Sequence, residues 1–296
     1  MSDTQYLVSA RKYRPQEWDE VVGQDGITQT LKQAIASSQI AQAYLFCGPR
    51  GVGKTTSARI FARAINGFAP DDDAMAFNVF ELDAASNNKV EDIRSIVEQV
   101  RIPPQHGTYK VYIIDEVHML SQAAFNAFLK TLEEPPAHAI FILATTEKHK
   151  ILPTILSRCQ IFNFNRIGAE SMASHLSDIA DKENGDILIF SNTINSKNIS
   201  PTVAHKMNSG LITNVIDLPE SFSPLTVKCK VFSSKAYVKY ESSYDKNIIC
   251  FIPNSIGSEY KIDGRGDIIN ITYDTSNLNS RIELINRTKQ SEKISL

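Results

Sequence analysis

The sequence is poor in the features that mark a secreted, metal-held or membrane protein. Its four cysteines, Cys47, Cys159, Cys229 and Cys250, lie far apart and form no C-x-x-C pair. That spacing offers neither a disulfide framework nor a zinc site, and it fits a reducing compartment. No run of about 18 apolar residues occurs, and the opening MSDTQYLVSARKYRPQEW has no apolar signal core. A cytoplasmic location without membrane contact is the expectation. Neither charge sign is in excess. Against 33 Asp and Glu stand 31 Lys and Arg, a net charge of −2, so bulk electrostatics draws the chain to neither nucleic acid nor a lipid surface. Internal repeats and low-complexity tracts are also lacking.

What is there suffices for about two domains with real cores: 296 residues, 42% of them hydrophobic. Up to about Ile167 the runs AYLFC, FNVFELD, KVYIIDE and AIFILATT are continuously apolar, as strands covered on both faces are. Between them SARIFARAI, VEDIRSIVEQV and SQAAFNAFLKTLEE carry apolar residues at 3- and 4-residue spacing. The last of these stops at Pro135-Pro136. Alternating strands and helices predict a parallel sheet with right-handed crossovers. After about Gly185 strand-like segments follow one another: DILIF, VKCKVFSSKAYVKYES, NIICFIP, DIINITYD and SRIELINRT. Only SPTVAHKMN reads as helical there, with Ser200 as N-cap and Pro201 at the first helical position. The stretch from Gly168 to Gly185 reads as a connecting helix. The expected organisation is thus an α/β P-loop core over 1–167, a junction over 168–185 and a smaller β-rich α/β segment over 186–296.

The stretch GPRGVGKTT carries the chemistry. Gly48-x4-Gly53-Lys54-Thr55 is the P-loop pattern, with a strand before it and a helix after it. Glycines let successive backbone N–H groups face an anion at the positive end of a helix. Within the loop Gly51, Val52, Gly53 and Thr56 join Gly48 as phosphate-binding positions. Lys54 reaches the β- and γ-phosphates, and the Thr55 hydroxyl takes a Mg²⁺ position. In VYIIDEVH an apolar strand delivers Asp115 and Glu116 to its C-terminal end, where parallel sheets place ligands. Two acids after a strand are by themselves an ordinary exposed loop; paired with a P-loop about sixty residues earlier they favour hydrolysis. Asp115 would hold Mg²⁺ through water, and Glu116 would polarise the attacking water. His118 and His149 lack H-E-x-x-H spacing and read as packing or surface histidines. DDDA at 71–74 reads as a solvated loop, and DGRGD at 263–267 as a Gly-rich turn.

ARKYRPQEWDEVVGQ, YLFCGPRGVGKTTSARIFARAIN, ELDAASNNKVEDIR, YIIDEVHMLSQAAFNAFLKTLEEPP and ATTEKHKILPTILSRC together resemble the gamma/tau subunit family of bacterial DNA polymerase III. The resemblance runs nearly continuously over residues 5–167. It implies an AAA+ ATPase fold, ATP and Mg²⁺ as ligands, and clamp-loader subunits, the sliding clamp and primed DNA as partners. It also implies that Arg14, Pro15 and Val22 border the adenine. Thr146 in LATTE would sense the γ-phosphate, and Arg158 in SRC would be an arginine finger for a neighbouring subunit's ATP. Many family members carry a cysteine-rich insert after the P-loop helix; NGFAPDDDAMAFN has no cysteine, so no structural zinc is expected. The family's helical lid and collar are not recognisable after SRCQIFNFNRI, so one wall of the nucleotide pocket is expected to be missing.

The segment over about 170–260, with DILIFSNTINSKNISPTVAHKMNSGLITNVIDLP and IICFIPNSIG, instead resembles the N-terminal domain of electron-transfer flavoprotein alpha subunits. That family's opening strands and FAD-binding domain have no counterpart, so FAD is not expected. The leading function is a clamp-loader-type ATPase. Its alternatives are a chimera that binds nucleotide without turnover, and an electron-transfer relative lacking its flavin domain.

Overall fold

The computed structural model describes residues 12–69, 72, 75–88 and 90–257. The first layer is built from α1 (Asp25–Ala36), β1 (Ala43–Cys47), α2 (Lys54–Asn66), β2 (Val79–Asp83), α3 (Val90–Val100), β3 (Lys110–Asp115), α4 (Gln122–Glu133), β4 (Ala139–Thr145) and β5 (Gln160–Asn163). The five strands form one sheet in the order β2-β3-β4-β1-β5, and every pairing is parallel. This is the parallel P-loop sheet with flanking helices that the resemblance implies.

Side chains alternate across the sheet. Tyr44 and Phe46 join Phe61, Ala62 and Ile142 in the core under α1 and α2. Leu45 joins Ile93, Ile114, Phe128 and Phe141 in the core under α3 and α4. The central strands β1 and β4 are buried at every residue, as their apolar runs require. FNVFELD departs from expectation. Its strand β2 sits at the sheet edge and is half-buried, with Phe80 and Leu82 turned inward and Glu81 paired to Arg59. An edge strand has only one flank to bury, so a charge in mid-strand is tolerated. At the start of α4 the Ser121 hydroxyl accepts the Ala124 N–H, and the helix ends just before Pro135.

The junction is a helix, α5 (Ala169–Lys182). It leads into β6 (Ile187–Ser191), α6 (Ile194–Met207), β7 (Gly210–Val215), β8 (Ser221–Phe222), β9 (Leu225–Val231), β10 (Ala236–Ser242) and β11 (Asn247–Phe251). These strands form a second sheet in the order β10-β9-β7-β11-β6, with β8 on β9. Strands β6, β11 and β7 are parallel, while β9 and β10 form an antiparallel hairpin. Helices α5 and α6 cover one face through Ala173, Ile199, Val203, Ile248 and Cys250.

The helix expected from Ser200 is longer. Thr193 is its N-cap, accepting the Ser196 N–H, and Pro201 lies inside it. Ser200 is buried mid-helix. The strand readings at DIINITYD and SRIELINRT and the turn reading at DGRGD lie outside the described residues.

Candidate nucleotide site

The loop between β1 and α2 turns on two glycines. A Cβ at Gly48 would lie 2.5 Å from the Phe164 carbonyl oxygen, so only glycine lets β5 run this close. Gly53 is the N-cap of α2 in the left-handed region, φ 95°, which presents the amides of the first helical turn to the loop. Lys54 is largely buried, and its ammonium donates to Gly48 O (2.8 Å) and Pro49 O (2.7 Å). Burial pushes its pKa down, and the nearby Glu116 and Asp115 pull it back up.

Three strand ends deliver the remaining groups. Asp83 pairs in register with Asp115 across β2 and β3. The Thr55 hydroxyl donates to Asp115 Oδ2 at 2.6 Å, and Asp115 Oδ1 accepts the Glu116 N–H at 2.9 Å. Glu116 adopts φ 46°, ψ 44°, a left-handed conformation rare for a non-glycine residue. Its Oε2 accepts from Thr146 N (3.2 Å) and Thr146 Oγ1 (3.0 Å). The sequence-expected groups Lys54, Thr55, Asp115, Glu116 and Thr146 are therefore brought together. The Thr55 hydroxyl beside the Asp115 carboxylate is a set of hard oxygens suited to Mg²⁺, which binds through one or two carboxylates, water and substrate phosphates.

These residues open onto a cleft of about 950 Å³, lined at the loop end by Gly51, Val52, Gly53 and Thr56 and at the far end by Arg14, Pro15 and Val22. Gly48 and Thr146 line a separate open depression, and Thr146 is linked to the cleft through Glu116. The expected missing wall is not missing. Met172, His175 and Leu176 of α5 line the cleft. Met172 and Leu176 also pack against the core of the second sheet. The C-terminal end of α5 is tied down as well. Glu183, just beyond it, pairs with Lys12 at 2.7 Å, and Asp181 pairs with Lys246 at 3.0 Å. The 3- and 4-residue spacing of Met172, His175 and Leu176 was the available signal.

Arg158 does not line this cleft. Its guanidinium donates to Glu133 Oε1 (2.7 Å) and to Thr154 O (2.5 Å) and is one-third exposed. His149 is exposed, as expected. His118 takes the packing alternative: its side chain is 6% exposed and lies against Glu116, Thr145 and Glu147. Among the described residues no group of three or more His, Cys, Asp or Glu could hold a metal ion by itself, and no helix is long and apolar enough to cross a membrane.

Residues 23–168 match the family described as DNA polymerase III, delta subunit, and residues 163–268 match the electron transfer flavoprotein domain. The DNA polymerase III subunit tau of Bacillus subtilis is 52% identical over 192 residues, covering 60% of this chain and 34% of its own length. That of Escherichia coli is 44% identical over 192 residues, covering 60% and 30%. The DNA polymerase III subunit gamma of Buchnera aphidicola is 42% identical over 193 residues, covering 60% and 52%. The chain thus spans about a third to a half of these relatives. Among solved structures, a gamma subunit-related protein of Thermotoga maritima has a TM-score of 0.43 at 23% identity, covering 60% of this chain and 57% of its own. The RuvB branch migration motor of the same organism has a TM-score of 0.48 at 22% identity, covering 60% and 56%. The chain is accordingly similar to the gamma/tau subunits of bacterial DNA polymerase III over its first part, and to an electron transfer flavoprotein domain from residue 163 onward.

Proposed function

We propose that this chain binds Mg²⁺-ATP at Gly48–Thr56 and hydrolyses it as a clamp-loader-type subunit of DNA polymerase III, helping to place a sliding clamp on primed DNA. The observation that carries the reading is the convergence of Lys54, Thr55, Asp115 and Glu116 at the floor of one cleft. In this role the Lys54 ammonium exchanges the Gly48 and Pro49 carbonyls for β- and γ-phosphate oxygens. Thr55 and Asp115 would hold Mg²⁺, which when bound neutralises charge between those phosphates. Glu116 accepts a proton from the attacking water through Oε1, which has no hydrogen-bond partner among the described residues. Arg14, Pro15 and Val22, which line the same cleft as α5, hold the base.

Turnover needs a further cation for the charge that develops on the γ-phosphoryl oxygens. Arg158 lies off its own cleft, which suits a finger presented to a neighbour's nucleotide. The isolated chain then binds ATP readily and turns it over slowly. Near-neutral net charge leaves only weak, salt-sensitive DNA binding to the chain alone.

The test is equilibrium binding of ATP followed by turnover. Lys54→Ala removes the one ammonium at the loop and should weaken ATP binding about a hundredfold, the effect of a lost charge-assisted contact. Glu116→Gln should bind normally and hydrolyse nothing measurable. Wild-type affinity in Lys54→Ala would end the reading. Binding without hydrolysis at any protein concentration, even with DNA polymerase III subunits added, would favour the nucleotide-binding chimera.

A further inference from the structure

His118 has no part in the mechanism above, yet its side chain is only 6% exposed and lies against Glu116. It stands three residues after Asp115, in the short turn Val117–Met119 that follows β3. Nδ1 lies 3.0 Å from Thr145 Oγ1 and 3.4 Å from Glu116 Oε2, and Nε2 lies 3.3 Å from Glu147 Oε1. Both ring edges therefore face groups of the β4 end, a segment nearly thirty residues away in sequence. Thr145 Oγ1 also accepts the Glu147 N–H at 3.0 Å, so the far side of the ring is fixed as well. Glu147 in turn pairs with Lys150 at 2.7 Å. That bond holds its carboxyl below the usual range and keeps it charged beside the ring.

The consequence for Glu116 is geometric. Its Oε2 is anchored by Thr146 on one side and walled by the imidazole on the other, while Oε1 remains for water. A carboxylate that must take a proton from one particular water needs a fixed rotamer, and Thr146 alone leaves rotation about the Oε2 anchor free. A neutral imidazole donates from one nitrogen only, so its ring hydrogen serves either the Thr145–Glu116 side or the Glu147 side.

Resting on the reading of Glu116 as the base, we propose that His118 is its positioning residue, a buried polar bridge from the end of β3 to Thr145 and Glu147 that sets the orientation of the Glu116 carboxylate for hydrolysis without contributing to nucleotide binding.

The experiment separates volume from polarity. His118→Leu fills the space with no polar atom, His118→Asn restores an amide near the Nδ1 position, and His118→Gln reaches toward the Nε2 position. ATP affinity and single-turnover hydrolysis are measured on the full chain, with Glu116→Gln alongside. Misplacing a catalytic group by about 1 Å costs on the order of a hundredfold. His118→Leu should therefore lower the hydrolysis rate by about tenfold to a hundredfold with ATP affinity within about threefold, and His118→Asn should recover more of the rate than His118→Gln. Should His118→Leu hydrolyse at the wild-type rate while Glu116→Gln is inactive, the proposal falls and the base survives. Equal losses in Leu, Asn and Gln variants, tracking a lowered melting temperature, would reduce His118 to packing and also overturn it. Wild-type hydrolysis by Glu116→Gln would remove the base and the proposal together.

Discussion

The pair between Arg158 and Glu133 bears directly on the proposed role of Arg158 as a finger for a neighbour's nucleotide. Consider Glu133→Ala, which removes the carboxylate 2.7 Å from the guanidinium. The two side chains are 33% and 47% exposed, and pairs this exposed contribute about 0.2–1 kcal/mol. The second contact, to the Thr154 carbonyl, adds about 0.5–1 kcal/mol for a solvent-accessible hydrogen bond. Detaching Arg158 therefore costs about 1–2 kcal/mol. An arginine finger lowers the barrier by about 4–7 kcal/mol, the equivalent of 10³–10⁵ in rate. If Arg158 serves as the proposed finger, the pair with Glu133 can tune the stimulation but cannot prevent it. In turnover assays with added DNA polymerase III subunits, Arg158→Ala should abolish the stimulation this chain gives a neighbour. Glu133→Ala should leave that stimulation in place or raise it by no more than about fivefold, the factor equivalent to 1 kcal/mol. If Glu133→Ala instead loses stimulation as completely as Arg158→Ala, Glu133 aims the finger rather than parks it, and the energetic comparison above is wrong.

Two further outcomes follow from backbone geometry. Gly48→Ala forces a Cβ against the Phe164 carbonyl, a backbone group that moves only with β5; it should destabilise the fold by about 1–3 kcal/mol in urea unfolding and weaken ATP binding, whereas wild-type behaviour in both would show that β5 yields freely. Pro201 is exposed inside α6, so Pro201→Ala regains the helical bond to the Lys197 carbonyl and should stabilise by about 1–2 kcal/mol after the loss of proline's stiffening of the unfolded chain; a lower unfolding midpoint would mean the ring is needed where it lies.

The P-loop, the acidic strand end and the parallel sheet were legible because each depends on neighbours in sequence. The loop needs its own glycines, and Asp115 and Glu116 need only the apolar strand ahead of them. The polar contacts of His118 were not legible, because Thr145 and Glu147 meet it only once β3 and β4 lie side by side. Helix α6 was misread for a local reason. Asn and Ser in INSKNIS have weak helix propensity and Pro201 mimics a helix start, yet Thr193 caps the chain seven residues before Ser200 and packing of Ile199 and Val203 holds the middle of the helix. The wall supplied by α5 is a single helix rather than a whole helical lid, so no lid pattern in the sequence marks it. Its apolar spacing was visible, but what the stripe packs against depends on tertiary placement: it joins the core of the second sheet and also lines the cleft.

That double service makes α5 a place where two equilibria meet. One stripe of side chains, Met172 and Leu176, is counted among the walls of the cleft and against the core beneath α6. A ligand that grips this helix cannot do so without opposing the local opening of the second sheet, by RT ln(1 + [L]/Kd) for whatever part of the protein must stay folded to bind it. At a hundredfold excess over Kd that is about 2.7 kcal/mol, enough to slow amide exchange in α6 and β11 roughly a hundredfold. The relation is reciprocal: a cavity cut at Val203, which belongs to the second sheet's core and not to the cleft lining, would be felt as lost affinity at the P-loop. The flavoprotein-like sheet is in this sense neither cargo nor ornament to the nucleotide site, but part of what the site must hold still.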